Sequence, residues 1–338
     1  MSGILEYIEK LLKGEDLGYD ESTALLDMVF GGEVPEAQVA AFLTAMRVKG
    51  ETSAELAGLA RSLRDNAVAV DVDVEHLVDT CGTGGAAVKT FNISTASAFV
   101  AAGAGIYIAK HGNRGITSKC GSADVLESLG VKIDPGPEVV AECIREAHVG
   151  FMFAPMFHPA MKYVQPVRKE LGFRTAFNVL GPLANPARAD AQVMGVADEK
   201  LMELVIGALD VLGVKHAMVV HSEGLDEIST MGKTKILELK DGHVTASEFD
   251  PEKYGIGRAD LEELKGSDAT GNAGIVRDIL LGKEKGAKKD IVVVNAAAAI
   301  VVGGLTKDFG EAITIADASI SDGKAGECLE KMIKISNG

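Results

Sequence analysis

No stretch of about 18 apolar residues free of charge occurs in this chain, which excludes an ordinary membrane-spanning helix. The opening MSGILEYIEKLLKGED carries acids throughout, without the basic start and apolar centre of an export signal, so the expected location is the cytoplasm. Basic residues are in deficit: 34 Lys and Arg against 49 Asp and Glu leave a net charge of −15. That balance excludes nucleic-acid binding through a broad basic face and confines any anion site to a local feature. Cysteine is scarce, and Cys81, Cys120, Cys143 and Cys328 lack C-x-x-C spacing, so neither a zinc knuckle nor a disulfide framework is indicated. Cys81 reads as a small buried thiol rather than a nucleophile. Tryptophan is absent, which bears on nothing here.

Glycine, by contrast, is abundant at 39 residues, in keeping with several tight loops approaching a ligand. A length of 338 residues with 47% hydrophobic content allows one large α/β domain with a smaller companion. The first 70 residues are helical by pattern. Ile4, Leu5, Ile8, Leu11 and Leu12 make one apolar stripe, and Ala24, Leu25, Met28 and Val29 another that stops at Gly31-Gly32. Pro35 opens a third helix to Gly50, and Thr52-x-x-Glu55 is a capping box for a fourth.

From about residue 71 to the end, strands alternate with helices, the signature of a mostly parallel sheet flanked by helices. Strands are expected at His76–Asp79, Ile106–Ala109, Gly150–Phe153, Gln192–Gly195 and Ala217–Val220, with helices at Ala123–Leu129, Pro137–Ala147 and Asp198–Leu212. Asp241-Gly242 predicts a hairpin and an antiparallel edge. The run Val292–Ala299 fits a strand or a buried helix equally. Met161–Leu171 reads as a helix and Gly181-Pro182-Leu183 as a rigid turn; the segment of about 160–185 is expected to return to the helical domain, leaving the site in the cleft between the two.

Chemistry concentrates between Asp79 and Gly121. Gly82-Thr83-Gly84-Gly85 follows a strand and lets backbone approach a ligand; Asn92, Ser94 and Thr95 then open a helix, Thr95–Ala102, whose free N–H groups and hydroxyls suit an anion. The next strand delivers Lys110-His111-Gly112-Asn113-Arg114. Taken singly, a glycine turn is a connection and Ser-Thr a helix cap; paired at two strand ends they make a phosphate platform. A dinucleotide site is rejected because the strand after Gly82-x-Gly84-x-x-Ala87 ends in Lys110, not an acid. A nucleotide P-loop is rejected because Val88 precedes Lys89-Thr90. Gly224-Leu225-Asp226-Glu227 puts adjacent carboxylates on a loop, ordinarily solvated acids but suited to Mg²⁺ once a pyrophosphate lies nearby.

In this order, CGTGG, FNISTASA, KHGNR, GSADVLESLG, GFRTAFNVLGPLANPA, GLDEIS and NAAAAI resemble the anthranilate phosphoribosyltransferases of tryptophan biosynthesis, over nearly the whole chain. The resemblance implies a nucleoside phosphorylase-like α/β fold and transfer of the phosphoribosyl group from phosphoribosyl pyrophosphate (PRPP) to the amine of anthranilate, with Mg²⁺ as cofactor and a homodimer formed through the N-terminal helices. It implies PRPP contacts at Gly82, Thr83, Gly84, Gly85, Thr90, Asn92, Ser94, Thr95, Lys110, Asn113 and Ser122. Anthranilate would meet Gly82, His111, Asn113, His158, Arg168, Gly181 and Pro182; Ser94, Asp226 and Glu227 would hold metal; Lys110, His111 and Asn113 would serve the reaction. Arg114 and Arg174 are open between structural and pyrophosphate roles. The family usually continues GTGG with Asp-Gly where this chain has Ala86-Ala87. Two other readings are weighed. A pyrimidine nucleoside phosphorylase, or a phosphoribosyltransferase with another acceptor, shares the architecture, but KHGNR and GLDEIS argue against the phosphorylase. A non-catalytic nucleotide or nucleic-acid binder on the same fold lacks the basic surface it needs.

Overall fold

A computed structural model describes residues 3–86, 88–115 and 120–338. Four helices come first: α1 (Ile4–Leu12), α2 (Tyr19–Phe30), α3 (Glu36–Lys49) and α4 (Ser53–Asp65). The capping box holds as expected, with Glu55 N–H donating to Thr52 Oγ1 at 3.2 Å and Thr52 N–H to Glu55 Oε2 at 2.8 Å. The α/β part follows as β1 (Val78–Gly82), α5 (Ile93–Gly103), β2 (Ile108–Gly112), α6 (Ser122–Leu129), α7 (Pro137–Ala147) and β3 (Val149–Phe153). Next come α8 (Ala154–Phe157), a 3₁₀ turn at Pro159–Tyr163, α9 (Gln165–Leu171), α10 (Phe177–Leu183), β4 (Ala191–Gly195), α11 (Met202–Val211) and β5 (His216–His221). A hairpin, β6 (Thr234–Lys240) and β7 (His243–Phe249), precedes α12 (Leu261–Leu264), α13 (Ala269–Leu280), α14 (Ala287–Val302), α15 (Phe309–Ser321) and α16 (Lys324–Asn337).

The seven strands lie in the order β3-β2-β1-β4-β5-β6-β7; β1 to β5 are mutually parallel and the hairpin adds the antiparallel edge. Period-two alternation decides which layer each residue meets. Val193, Met218, Val220 and Ile236 point into the core made with α5 and α13 to α16. Their neighbours Met194, Ala217, Val219 and Leu237 point into a second core that contains the N-terminal helices, Val164, Val167, Phe177, Leu180 and Leu183. The segment around α9 and α10 thus packs with the N-terminal helices, while β4 to β6 supply the floor.

Several expected boundaries need correction. His76 has a left-handed φ of 57°, which no strand residue adopts, so β1 begins two residues later. Met161–Leu171 is not one helix: a 3₁₀ turn gives way at Val164 to a helix with Pro166 in its first turn. Gly181-Pro182-Leu183 is the last turn of α10 rather than a free turn. The apolar run at Val292 is the middle of the buried helix α14.

Candidate active site

From β1 the chain crosses to β2 on one side, whereas β4 lies on the other; the strand order reverses between β1 and β4. Such a reversal opens a crevice at the strands' carboxyl ends. Two glycines stand side by side there, Gly82 opposite Gly195. The loop after β5 runs directly over both. A Cβ on Gly195 would fall 1.7 Å from the Asp226 carbonyl oxygen, and one on Gly82 would fall 2.5 Å from Asp226 Oδ2, so only glycine permits the approach.

Beyond Gly82, Thr83 N–H donates to the Gly195 carbonyl at 2.9 Å and Thr83 Oγ1 accepts from Ala197 N–H at 3.2 Å. Gly84 and Gly85 take left-handed φ values of 67° and 76°. The exposed Arg174 lies against Gly85, its Nη2 3.1 Å from where a Cβ would stand. Gly84 N–H donates to Asp226 Oδ2 at 3.0 Å, and Ser94 N–H at the start of α5 donates to Glu227 Oε1 at 3.2 Å. The two backbone donors expected to face an anion therefore each hold a carboxylate. Ala86 is buried beside them, and Ala87 lies outside the described residues.

Lys110 does not project past its strand. It is buried, and its ammonium donates to the Thr80 carbonyl and, at 3.3 Å, to Ser94 Oγ, so its charge sits beneath the first turn of α5. Burial lowers its pKa, and Asp79 opposes that shift. Asn92 is fixed by Asn272, whose Nδ2 donates to its Oδ1 at 3.0 Å. Thr95 is buried in α5 and Thr90 half-buried in the connecting loop. Burial raises the pKa of Asp226; for Glu227 burial and then the charge of Asp226 raise it, against Lys110.

Both acids call for a cation, since no Lys, Arg or His nitrogen pairs with either among the described residues. Hard carboxylate oxygens of this kind suit Mg²⁺. Among the described residues no three His, Cys, Asp or Glu side chains cluster as a self-sufficient metal cage. The pair fits an ion whose remaining ligands come from phosphate and water, as Mg²⁺ sites often have.

A second group of residues borders β2. Buried His111 sets its Nδ1 3.2 Å from the Gly181 carbonyl, and its ring packs edge-on against His158 with centroids 4.9 Å apart. A carbonyl only accepts, so Nδ1 carries the proton and Nε2 is a bare acceptor, buried and without a hydrogen-bond partner. Burial pushes the pKa of His111 down to about 3 and that of His158 to about 4; both rings are neutral. The Pro182 carbonyl accepts from Gln192 Nε2 at 2.7 Å, tying the end of α10 to β4. Arg168 stacks over Phe177 at 5.3 Å, and Phe177 stands one helical turn before Gly181. Half-buried, with only a long 3.5 Å bond to Gln165 Oε1 and no carboxylate at ion-pair distance among the described residues, Arg168 has its positive charge free for an acid.

Asn113 is exposed: its Oδ1 accepts from Arg114 N–H at 2.8 Å, and its carbonyl accepts from Ala123 N–H and Ser122 Oγ at the start of α6. Arg114 pairs with Asp124 and Glu127 at 3.0 and 2.8 Å, which gives it a structural partner set.

Comparison with known proteins places the whole chain. The helical bundle domain of a glycosyl transferase family matches residues 5–67, and the a/b domain of the same family matches residues 74–326. The anthranilate phosphoribosyltransferase of Desulfatibacillum aliphaticivorans is 50% identical over 97% of both chains. The chain belongs to the anthranilate phosphoribosyltransferase family. In three dimensions the family member from Thermus thermophilus is similar with a TM-score of 0.93 and 40% identity, over 98% of this chain and 99% of that one. The Saccharomyces cerevisiae member, solved with PRPP and Mg, gives a TM-score of 0.90 at 28% identity over 99% and 98% of the two chains. The same yeast enzyme has been solved with 4-fluoroanthranilate.

The structure brings Asp226, Glu227 and Lys110 to one crevice and sets His111 beside it; the sequence motifs do not show what holds them. Asp79, fully buried, accepts from His111 N–H at 3.4 Å, and burial raises its pKa to about 6. Gln192 anchors Pro182, and Gly195 makes room for Asp226. Asp79 is visible in the sequence as a lone acid in an apolar strand; Gln192 and Gly195 carry no comparable signal.

Proposed function

We propose that this chain transfers the phosphoribosyl group of PRPP to the amine of anthranilate, giving N-(5-phosphoribosyl)anthranilate and pyrophosphate, the second step of tryptophan biosynthesis from chorismate. The observation that carries the reading is the pairing at one crevice: Asp226 and Glu227 sit on the N–H groups of Gly84 and Ser94. Two anion-binding turns and two metal-binding acids so close together suit a metal-bound diphosphate and have little use in a site for bare phosphate.

In this reading the pyrophosphate lies at the crevice between the glycine turn and the start of α5, where Asp226 and Glu227 occupy the Gly84 and Ser94 N–H groups, and Lys110 supplies positive charge from below. Asp226 and Glu227, with Ser94 beside them, would hold Mg²⁺, which when bound neutralises charge on the diphosphate. Arg168 takes the carboxylate of anthranilate, and Phe177 and the Gly181-Pro182 turn of helix form the apolar wall. The bare Nε2 of His111 accepts a hydrogen bond from the aromatic amine and aims its lone pair; a ring titrating at about 3 orients the amine rather than deprotonating it. As the bond from the anomeric carbon to pyrophosphate oxygen breaks, the amine nitrogen bonds to that carbon. The spare proton leaves afterwards to water or to the substrate's carboxylate. Orientation of a weak nucleophile beside a stabilised leaving group supplies the rate.

The domain division that suits this reading is 1–70 with 160–185 as the helical part and 71–338 as the PRPP-binding part, the reaction running in the cytoplasm on water-soluble substrates. A homodimer fits the exposed Leu5 and Leu12 on α1 and Val48 on α3, which is 81% exposed. Light scattering at micromolar concentration tests it, and a monomer mass would refute it. The activity itself is tested by acceptor choice: loss of fluorescence with anthranilate, against no reaction with nicotinate or with thymidine and phosphate. Turnover of either control in place of anthranilate would overturn the assignment.

A further inference from the structure

Helix α14 is buried on every side from Ile291 to Val302, and the single polar side chain in that run is Asn295, 3% exposed. Its carboxamide is fully committed. Oδ1 accepts from Ile228 N–H at 2.9 Å, while Nδ2 donates to the Ile228 carbonyl and to the Ile291 carbonyl, each at 2.8 Å. Ile228 is itself fully buried in irregular backbone, so neither its N–H nor its carbonyl has a ladder partner. One side chain satisfies both, as a strand would. The flanking residues are held the same way, Glu227 carbonyl by Ser222 Oγ at 3.3 Å and Ser229 N–H by Thr234 Oγ1 at 2.9 Å.

The residues hanging from this clasped backbone are Asp226 and Glu227. The geometry points to Asn295 as a positioning residue that sets the Asp226–Glu227 carboxylate pair against the Gly84 and Ser94 N–H groups, and through it the site's affinity for a divalent cation with PRPP. The inference rests on the metal-binding reading of that pair. The packing of α14 on α5 has a separate buried polar tie, the Ser97 hydroxyl, whose Oγ lies 3.0 and 3.1 Å from the Ile93 and Val292 carbonyls. Without the amide, Ile228 loses both partners in a dry core and its segment must shift to find others. Any such shift carries the two carboxylates with it.

The test uses the full-length protein without acceptor, so no turnover is involved. Mn²⁺ binding in the presence of PRPP is followed by the loss of the free Mn²⁺ resonance, and anthranilate binding separately by fluorescence. Two variants are compared. Asn295→Ala removes the clasp; Asn295→Ser retains a hydroxyl able to bond back to the Ile291 carbonyl, so it keeps the internal tie of α14 and loses only Ile228. Both should weaken Mn²⁺ binding by roughly 10- to 100-fold, the usual cost of losing a group that orients a metal ligand, and leave anthranilate binding within about twofold. Ser97→Ala should lower the melting temperature without changing Mn²⁺ affinity. Wild-type Mn²⁺ affinity in both Asn295 variants, with Asp226→Asn/Glu227→Gln deficient, overturns the positioning role alone. Equal weakening toward Mn²⁺ and anthranilate would reduce Asn295 to a structural residue. Wild-type binding in the Asp226→Asn/Glu227→Gln protein removes the metal reading, and the inference with it.

Discussion

Replacing Arg168 by Ala isolates the acceptor half of the site. The guanidinium is half-buried over Phe177 at 5.3 Å, burial alone lowers its pKa, and no carboxylate pairs with it among the described residues. A cation partly stripped of water and left without a counterion gains most from an incoming carboxylate, which can accept two parallel N–H bonds. Losing such a charged pair costs about 2–3 kcal/mol, or about 30- to 150-fold in kcat/KM for anthranilate. The stack on Phe177 contributes roughly 0.5–1 kcal/mol to the fold. Removing a desolvated charge offsets much of that, so the variant should melt within a few degrees of wild type. The assay is a pair of titrations of initial rate, anthranilate at saturating PRPP and the reverse. Benzoate inhibition should weaken in parallel, because benzoate keeps the carboxylate and lacks the amine. An unchanged anthranilate constant, or an equal rise in both substrates' KM, would refute the argument.

Three further outcomes are expected. Asp226→Asn with Glu227→Gln keeps size and removes charge; turnover at ordinary Mg²⁺ should vanish, return in part at higher Mg²⁺, and leave the circular dichroism spectrum unchanged. The neutral pair His111 and His158 makes stability fall with acid: at pH 4.5 the unfolded chain, whose histidines titrate near 6.5, is protonated, while His111 at about 3 and His158 at about 4 resist. Each ring should then remove roughly 2.5 kcal/mol between neutral pH and pH 4.5, so denaturant melts of His158→Leu should show a shallower acid slope than wild type. Ala86, buried at the crevice where the family usually carries Asp, is the third: Ala86→Asp should give stronger inhibition by excess Mg²⁺ with little change toward anthranilate, and superimposable Mg²⁺ titrations would show that position 86 does not sense the metal.

Periodicity and turn residues carried most of the fold, because they act locally. The Thr52-Glu55 box, Pro137 at the start of α7 and Asp241-Gly242 in the hairpin each fix a boundary through a bond or a φ value within a few residues. Where pattern failed, tertiary packing decided. The run at Val292 is helical because α14 is enclosed on all sides, and enclosure erases both periods. Gly181 and Pro182, turn residues by propensity, close a helix whose carbonyls are taken by His111 and Gln192 from the sheet. The site divides in the same way. Gly82 to Gly85, Lys110-His111 and Asp226-Glu227 are recognisable because their chemistry lies in their own side chains or backbone freedom. Asn295, Gln192 and Gly195 act through residues on other elements, and although Asn295 opens the NAAAAI run, nothing in the sequence names the partner of any of the three.

The central claim is a coupled transfer, and phosphorus resonance with fluorescence on one sample tests it most directly. With the protein, Mg²⁺ and PRPP, the diphosphate resonances of the donor should convert to free pyrophosphate one for one with the loss of anthranilate, and should persist when anthranilate is left out. Pyrophosphate release that ignores anthranilate, or anthranilate that survives while PRPP is consumed, would contradict the account.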